Sequence, residues 1–580
     1  MSKVVLVCRR DKKNKYTQAD IERLSNRLMP DNFSPNPPKT ICQDGVLIGI
    51  FNPNKTVGTY NTSVYLGQII TEQEHWWQPK TCIADGSFAL FRSDDNFVEL
   101  VTDVLASRTI WYVKTEQEFI ASTSQRAIVF FLKSFQPNKT TVSWMLSSGS
   151  LGFGLSWDTR IKSVEADSSV LLNRSSWELE IKKKDVVFQS QNLSKKQHKK
   201  QLLNSLENTF TKYDFDYSNW ILPLSGGFDS RAILLLLKNR TGLKTVTWGL
   251  KSSLSEPNSD AYVANKLATH IGVENKYFEL DSSSESWENI FQRFLVAGEG
   301  RIDHISGYMD GFKVWKELFE QGVLGIIRGD EAFGFPILSA FTSLDVRRVM
   351  NNNLLSDYYN YNIIAKFGFE SQIFPERLLR KNRESFADWR DRLYHEFRIP
   401  YILAALTDLK CSYVEIINPL LSREIIEQVR QMPSYLRIQK KLFKSIIISL
   451  SPKGIPFAQQ MSTQKLEDLL ATQEYVNFLS RKLKTDSARK ILTSEFIDYI
   501  FENLQVSNSK PAKNSWKSKI RMMMPEELKC YIKTLFPAKS LPININRLAL
   551  RALIICEMNQ ILVEDAMQLE MSKLNLNPTK

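Results

Sequence analysis

The chain has 580 residues, of which 43% are hydrophobic, 24% charged and 11% aromatic, and its formal net charge is +13. This composition excludes a disordered chain, a collagen and a coiled coil, and the length predicts roughly three to five domains, or two large domains with an extension. Five histidines argue against a multi-histidine metal centre. The positive charge is compatible with nucleic acid, an anionic membrane surface or a phosphorylated substrate, and it selects none of them.

The cysteines and the first residues indicate a reducing compartment. Six cysteines, at positions 8, 42, 82, 411, 530 and 556, form no C-x-x-C pair and fit no zinc-binding spacing. The apolar run that ends at Cys8 is closed by Arg9, which predicts a strand and is too short for a signal peptide. Because no uncharged apolar run approaches the ~18 residues of a membrane span, we expect a soluble, cytoplasmic protein.

The first part of the chain, residues 1–192, is predicted to be a β-rich domain. Turn residues separate its short apolar runs, which lie at 46–51, 87–91, 109–113 and 170–172. A basic amphipathic helix then begins near Asn192 and ends near Tyr213. We interpret its lysines as a solvated face, with a nucleic-acid patch as the minority alternative.

From Trp220 onwards the pattern alternates between strands and helices, which predicts a parallel α/β sheet. The predicted strands are 220–224, 244–248, 276–280 and 323–327, and the predicted helices are 230–238, 260–271 and 287–296. Helices dominate beyond Phe341, and residues 476–580 are predicted to be a basic helical extension. Its Met-rich basic stretch, 516–524, is interpreted as a core-facing stripe, with a membrane or partner surface as the alternative.

The most informative segment is Ser225-Gly226-Gly227-Phe228-Asp229-Ser230, which joins a predicted strand to a predicted helix. The two glycines are expected to adopt positive φ and to let the backbone approach a ligand closely. The helix that follows directs unpaired N–H groups and its positive dipole end at the same space, and the two serines add hydroxyl donors. This combination predicts a cradle for phosphate.

Asp229 lies inside this cradle, where its carboxylate would repel phosphate unless a cation lay between them. The sequence therefore predicts Mg²⁺, bound by a carboxylate together with phosphate oxygens. No Gly-x-x-x-x-Gly-Lys-Ser/Thr motif is present, so the segment is not a Walker P-loop.

The Ser225–Ser230 string resembles the PP-loop of the N-type ATP pyrophosphatases, which include asparagine synthetase, argininosuccinate synthetase, GMP synthetase and several tRNA-modifying enzymes. The resemblance implies cleavage of ATP between its α and β phosphates, giving an adenylated substrate and pyrophosphate. It places the nucleotide on two sets of residues: the phosphates on Leu224, Ser225, Gly226, Gly227, Asp229 and Ser230, and adenine on Val246, Thr247 and Trp248.

Three later segments resemble asparagine synthetase in particular. Residues 259–268 are similar to the family's Asp-x-x-x-Ala-x-x-x-Ala helix, and residues 323–334 to its Gly-Glu-Gly-x-Asp-Glu-x-Phe-Gly-Gly segment. The second match makes Asp330 the other carboxylate that faces Mg²⁺. Residues 413–424 resemble Gly-Val-Glu-x-Arg-x-Pro-Phe-Leu-Asp, which makes Glu415 a candidate catalytic base or orienting group.

The first 192 residues resemble the glutaminase domain of the same family, an N-terminal-nucleophile hydrolase fold. The resemblance rests on segments 85–91, 104–112 and 119–124. An active glutaminase of this type has Cys at position 2, whereas this chain has Ser2, and the Arg-Gly-Pro-Asp and Asn-Gly-Glu segments that hold glutamine are missing. We therefore expect the domain to be an inactive scaffold.

The synthetase half departs from the family on the acceptor side. Ile327 stands where asparagine synthetase has the Glu of Gly-Glu-Gly, and the family's late lysine would fall near Gln460. Three lysines could replace the latter, and the sequence does not choose among Lys440, Lys441 and Lys465. These departures favour a substrate other than aspartate, or reduced activity.

The chain is thus identified as a divergent member of the asparagine synthetase family, class B. The predicted fold is an α/β and α+β arrangement of a β-rich sandwich (1–192), a parallel PP-loop domain (193–475) and the helical extension (476–580). The predicted activity is an ATP- and Mg²⁺-dependent, AMP-forming amide ligase that joins a small-molecule or peptide carboxylate to ammonia or an amine. The alternatives are a PP-loop RNA-modifying enzyme and a degenerate ATP-binding scaffold, and a homodimer is left open.

Overall fold

The computed structural model describes residues 2–70, 75–213, 215–280, 285–334, 361–370, 372, 374–463, 466–506 and 544–575. The predicted stretch 516–524 lies outside these residues, as does Lys465. Among the residues that are described, no helix is both long enough and apolar enough to cross a membrane.

Two six-stranded antiparallel sheets form the first part of the chain. Their strands, in chain order, are Lys3–Arg9 (β1), Lys39–Gln43 (β2), Val46–Phe51 (β3), Gly58–Tyr60 (β4), Ser63–Ile69 (β5), Gly86–Ser93 (β6), Phe97–Thr102 (β7), Trp111–Lys114 (β8), Glu118–Ser122 (β9), Lys162–Ser163 (β10), Ser168–Asn173 (β11) and Glu178–Lys183 (β12). One sheet has the order β10-β8-β9-β1-β3-β2, and the other has the order β12-β11-β7-β6-β5-β4.

Strand β1 shows why this part of the chain folds as a layered sandwich. Its apolar run is continuous because both of its faces are buried. Val4 and Leu6 belong to the core between the two sheets, whereas Val5 and Val7 pack in a second core that includes residues of two helices. A half-exposed strand would instead alternate apolar and polar residues.

A third sheet has five parallel strands in the order β15-β14-β13-β16-β17. They are Trp220–Pro223 (β13), Lys244–Gly249 (β14), Asn275–Glu279 (β15), Gly325–Ile327 (β16) and Glu415–Ile417 (β17). The first four match the predicted strands to within a residue or two at each end. The fifth was not predicted as a strand.

Helices surround the sheets and extend to the end of the described chain. They are Gln18–Leu28 (α1), Gln125–Leu132 (α2), Lys139–Ser148 (α3), Lys195–Lys212 (α4), Asp229–Leu237 (α5), Asp260–Ile271 (α6), Trp287–Gly298 (α7), Lys313–Glu320 (α8), Tyr361–Ile364 (α9), Phe386–Leu393 (α10), Ala404–Asp408 (α11), Arg423–Gln431 (α12), Ser434–Arg437 (α13), Lys441–Leu450 (α14), Leu466–Leu470 (α15), Gln473–Leu483 (α16), Asp486–Ile491 (α17), Ser494–Asn503 (α18) and Ile545–Asn575 (α19). A π-helix, Tyr394–Leu403, joins α10 to α11.

The last helix, α19, packs into the same hydrophobic core as α2 and α7. Ion pairs hold it near its start and beyond its middle, because Arg551 pairs with Asp303 at 2.7 Å and Asp565 pairs with Arg126 at 2.7 Å. The mixed α/β class and the parallel sheet are therefore as predicted. The identity of the β-rich part as a glutaminase domain, and the boundaries at 192 and 475, stay predictions.

Candidate active site

The candidate site lies where the strand order of the parallel sheet reverses, between β13 and β16. From β13 the sheet continues to β14 and β15 on one side and to β16 and β17 on the other. Ligands of open α/β sheets bind at the carboxyl ends of the strands at such a switch point. The predicted PP-loop follows β13 directly, and the segment Arg328–Asp330 follows β16.

Hydrogen bonds hold the PP-loop in a compact shape. The backbone N–H of Ser225 donates to Oγ of Ser230 at 2.9 Å, and the N–H of Gly227 donates to Oγ of Ser225 at 3.3 Å. The N–H of Gly226 donates to Oδ1 of Asp260, in the first turn of α6, at 3.2 Å. Burial raises the pKa of this Asp260 carboxyl. The two serines therefore shape the loop itself, and α6 supports it from one side.

The two glycines are required for a reason other than the expected one. Neither Gly226 nor Gly227 has a positive φ, so that expectation is wrong. Gly226 is instead a point of close approach: a Cβ atom there would lie 2.5 Å from Cβ of Ala458 and 2.8 Å from Cβ of Val263. The loop is pressed between α6 and a later segment of the chain, and a side chain has no space.

Asp229, the first residue of α5, contacts a lysine that the sequence analysis left among three candidates. The Lys440 ammonium donates to both carboxylate oxygens of Asp229, at 3.0 and 2.8 Å, and to Oε1 of Glu331 at 2.8 Å. Burial alone lowers the pKa of Lys440, but the two carboxylates outweigh it and raise that pKa. Lys440 is thus held as a cation between two acidic groups.

Asp330 lies beside this cluster and is held differently. Its Oδ1 is 3.1 Å from Nε of Arg328, while its Oδ2 is buried and has no hydrogen-bond partner. A buried carboxylate oxygen without a partner is costly unless a ligand or ion satisfies it. Asp330 therefore keeps one oxygen available to a cation at the carboxyl edge of the sheet.

These carboxylates suit a cation that arrives with a nucleotide. Mg²⁺ is usually bound by one or two carboxylates together with phosphate oxygens, not by an all-protein cage. The described part of the chain has no group of three or more His, Cys, Asp or Glu side chains placed to hold a metal ion. Asp229 and Glu331 already share one cation, the Lys440 ammonium. The donor set therefore fits Mg²⁺ bound with phosphate.

A cavity of about 160 Å³ lies beside the loop. Four of the residues predicted to bind the nucleotide are in its wall or at its edge: Leu224, Ser225, Thr247 and Trp248. Val246 lies behind them, with its side chain buried and its carbonyl accepting the N–H of Leu224 at 2.8 Å. The volume of the cavity suits a flat heterocycle, and so does the half-buried indole of Trp248.

The other side of the cavity is formed by a segment in which the sequence analysis named only Gln460, and whose role as a cavity wall it did not predict. Residues 455–463, which we call the strap, cross the loop and the start of α6. Ala458 N–H donates to the carbonyl of Gly226 at 3.0 Å, and Met461, Ser462 and Thr463 line the cavity. The predicted position of the late lysine, Gln460, accepts the N–H of Asp260 with its carbonyl at 3.0 Å.

The structure does not bring Glu415 to this cluster. It is the first residue of β17, at the amino end of the strand, whereas the PP-loop lies at the carboxyl edge of the sheet. Its side chain is fully buried and pairs with Arg108 from the β-rich part. A role as a base would require Glu415 to leave this ion pair, and the role stays a prediction.

The amino end of the β-rich part is also buried. Ser2 is completely inaccessible, and its Oγ donates to the carbonyl of Asn52 at 3.0 Å. Cys8 lies in the core between the sheets, where burial raises the pKa of its thiol to about 11. Neither group is placed as an exposed nucleophile.

Residues 222–323 match the family model of asparagine synthase. Over this range the chain is similar to asparagine synthase. The predicted resemblance is therefore confirmed over a range that begins in β13, contains the PP-loop and the Thr247–Trp248 wall of the cavity, and stops before Asp330. A search of curated proteins found no match to the chain. The remaining parts of the site depend on the structure alone.

Proposed function

We propose that this protein is an ATP-dependent, AMP-forming amide ligase of the asparagine synthetase type. The observation that carries the proposal is the PP-loop of an asparagine synthase domain at the carboxyl edge of a parallel sheet, with Asp229, Asp330 and Glu331 beside it. Lys440 pairs with Asp229 and Glu331, whereas Oδ2 of Asp330 has no hydrogen-bond partner and offers a ligand position to the Mg²⁺ that ATP would bring.

In this proposal the adenine ring occupies the cavity between Trp248 and the strap, and the phosphates lie on Ser225–Ser230. The N-terminal N–H groups of α5 and its positive dipole end favour the phosphate charge. Mg²⁺, when bound, would neutralise the negative charge that develops on the leaving pyrophosphate. Asp229 and Asp330 are the carboxylates proposed to face it, as the resemblance implied.

The acceptor side favours a substrate carboxylate. Nη1 of Arg328 is buried without a hydrogen-bond partner, and Nε of the same guanidinium lies 3.1 Å from Oδ1 of Asp330. A carboxylate is the natural partner of a guanidinium donor in such a position. One of its oxygens would form a bond to the α-phosphorus while the bond to pyrophosphate breaks. An amine nitrogen would then attack the carboxyl carbon, lose its proton and release AMP.

The source of the amine is proposed to be ammonia from solution or an amino group of the substrate itself. Glutamine hydrolysis by the β-rich part is disfavoured, because Ser2 is buried and hydrogen-bonded to backbone. Ile327, at the position of the family's Glu, is buried in a hydrophobic core. It therefore places no charge at the site of the acceptor substrate. The substrate is therefore proposed to differ from aspartate.

The test is pyrophosphate release by the purified chain with ATP and Mg²⁺, against a panel of carboxylates, with and without RNA. We expect carboxylate-dependent release that Asp229→Ala abolishes, because the variant loses the carboxylate at the phosphates. Asp486→Ala is the matched control, since Asp486 is also the first residue of a helix but is exposed, and its helix packs against α16, α18 and α19. It should retain full activity.

Two outcomes would overturn this proposal in favour of its alternatives. Release that depends on RNA would indicate an RNA-modifying enzyme. ATP binding without release on any carboxylate or RNA would indicate a catalytically degenerate scaffold. Equal activity of Asp229→Ala and the unmodified chain would contradict the assignment of the loop itself.

A further inference from the structure

A second cavity, of about 370 Å³, lies at one end of the β-rich part. Four hairpin turns meet there, because the turns that join β2 to β3, β4 to β5, β6 to β7 and β11 to β12 each contribute residues to its wall. Loops at the ends of a sandwich are frequent binding sites, since a rigid scaffold holds them in place. The volume is within the range of small-molecule pockets, about 300–1,000 Å³.

This cavity is separate from the buried amino end of the chain. Ser2 precedes β1, and the far end of β1 lies beside the β2–β3 turn, where Val46 pairs with both Cys8 and Gln43. Because β1 has seven residues at ~3.4 Å each, its two ends lie roughly 20 Å apart. Gln43 and Asp44 are in the wall of the cavity. A ligand bound there would therefore not use the position of Ser2.

Two aromatic rings form one side of the cavity. Tyr60 and Trp77 stack with their ring centres 4.0 Å apart and their planes at 28°. Tyr60 is 44% exposed, and neither ring belongs to a hydrophobic core of the described chain. Packing of the protein interior therefore does not account for the pair. A flat apolar surface at the rim of a cavity is suited to stacking against a flat face of a ligand.

A fully buried arginine fixes the segment that carries Trp77. Nε of Arg92 donates to the carbonyl of Trp76 at 2.6 Å, and its Nη1 and Nη2 donate to the carbonyls of residues 81 and 82, each at 3.1 Å. The carbonyl of Trp77 itself accepts Oγ of Ser63 at 2.9 Å. This part of the connection between β5 and β6 is therefore preformed, and a ligand would not have to order it.

Arg174, in the β11–β12 turn, joins two of the other turns. Its Nη1 donates to the carbonyl of Asp94 at 2.6 Å, and its Nη2 donates to the carbonyl of Asp44. Among the described residues that line the cavity, Arg174 is the single cation, and three carboxylates accompany it, those of Asp44, Asp94 and Asp95. The balance of charge disfavours an anionic ligand, such as a nucleotide or nucleic acid, despite the positive charge of the whole chain.

The rest of the wall offers hydrogen-bonding groups of both kinds. Gln43, Asn61 and Gln78 supply amide donors and acceptors, and Asp44 and Asp95 supply carboxylate acceptors. All five residues are exposed. A simple cation would use the carboxylates and the rings but would leave the amides without a role. A neutral ligand with many hydroxyl groups and one flat apolar face would use the whole wall.

We propose that this cavity binds a neutral sugar ring, either as a free saccharide or within a glycan. The C–H face of the ring stacks on Tyr60 and Trp77. Its hydroxyl groups, each both donor and acceptor, pair with the amides and carboxylates of the four turns. The proposal does not rest on the amide-ligase function, so a failure of pyrophosphate release would leave it standing.

The test is saturation-transfer-difference NMR and calorimetry on the full chain with glucose, galactose, N-acetylglucosamine, maltotetraose, cellotetraose and chitotetraose. We expect saturable binding of at least one of them. Tyr60→Ala and Trp77→Ala should each weaken it about ten-fold, because stacking surface is lost. Tyr435→Ala is the matched control, since Tyr435 is 55% exposed but lies on α13, and it should bind like the unmodified chain. Tighter binding of a tetramer than of its monomer would identify a glycan as the ligand, and equal binding a free saccharide.

Choline serves as the probe for the competing cation site. Asp95→Asn keeps an oxygen that accepts a hydroxyl proton, so it should weaken saccharide binding less than Tyr60→Ala does. Binding of choline without binding of any saccharide would overturn the proposal, and so would binding of none of these compounds. Saccharide binding that both aromatic variants leave unchanged would also overturn it. Thermal unfolding verifies that each variant is folded, and the exposed Tyr60 keeps the test decisive should Trp77→Ala not fold.

Discussion

Gly226 is the residue of the PP-loop at which a side chain does not fit. Replacement by alanine would place a Cβ 2.5 Å from Cβ of Ala458 and 2.8 Å from Cβ of Val263. Overpacking of a close contact costs about 1–3 kcal/mol, so we expect Gly226→Ala to lower the free energy of unfolding by that amount. It should also weaken ATP binding, because the loop and the strap would separate. Thermal unfolding and nucleotide titration measure the two effects.

Gly307 provides the control for this substitution. It is exposed, it has no positive φ, and a Cβ there would meet nothing within 4 Å. Gly307→Ala should leave both stability and nucleotide binding unchanged. Equal behaviour of the two variants would show that the close approach at Gly226 is not a constraint.

Individual residues of the site were predictable only where they belong to a motif of consecutive residues. The Ser-Gly-Gly-x-Asp-Ser string was sufficient to find the loop, because strand, glycines, acid and helix follow one another directly. It could not give the reason for Gly226, which depends on Ala458 more than two hundred positions away. Lys440 could not be chosen for the same reason, since its partners Asp229 and Glu331 are distant in sequence.

Among the secondary-structure elements, those with a clear apolar period were predicted well. Strands β13 to β16 and helices α4 to α7 agree with prediction because their buried faces repeat at the expected spacing. Strand β17 was missed because the charged Glu415 interrupts its apolar run, whereas β16, which is equally short, belongs to an uncharged run over 323–327. The strap was missed because it has little regular structure of its own and binds through backbone groups.

Arg231 is the side chain that fastens the strap to helix α5. Its guanidinium donates to the carbonyls of Ile455, at 3.3 Å, and Pro456, and it lies 3.8 Å from the ring centre of Phe457. Hydrogen bonds to a charged group contribute about 1.5–3 kcal/mol each, so Arg231→Met should free the strap. We expect weaker ATP binding and faster hydrogen exchange of residues 455–463.

Arg240 gives the matched control for this experiment. It also donates to a backbone carbonyl, that of Phe210 at 3.2 Å, and it lies 5.6 Å from the ring centre of Tyr217. Arg240→Met removes similar contacts away from the cavity and should not change ATP affinity. If hydrogen exchange of the strap is unchanged in Arg231→Met, Arg231 does not hold the strap to α5.

In the molecule as a whole, buried ion pairs join the β-rich part to the part that contains the parallel sheet. Arg108 pairs with Glu415, and Lys3 lies 3.6 Å from Glu299, with all four side chains almost completely buried. The sequence predicted separate domains and no such contacts, because each pair unites residues about three hundred positions apart. These ion pairs accompany a shared hydrophobic core, which contains residues of both parts, such as Val5 and Ile221.

The Arg108–Glu415 pair separates a structural role of Glu415 from the catalytic role that was predicted. Removing one partner of a buried pair leaves an uncompensated charge and costs about 3–5 kcal/mol. If Glu415 is structural, Arg108→Met and Glu415→Gln should each lower the unfolding free energy by this amount. The double variant should recover much of the loss, because no charge is left unpaired. Denaturant unfolding of the four proteins gives the coupling directly.

Amide formation measured below the unfolding transition completes the comparison. A catalytic base would make Glu415→Gln inactive while folded Arg108→Met stays active, whereas a structural partner would make the two variants lose activity together and regain it in the double variant. The surface pair Arg489–Asp498, 2.7 Å apart with Asp498 more than half exposed, is the control. Because solvent screens it, Asp498→Asn should leave the free energy of unfolding almost unchanged and amide formation intact.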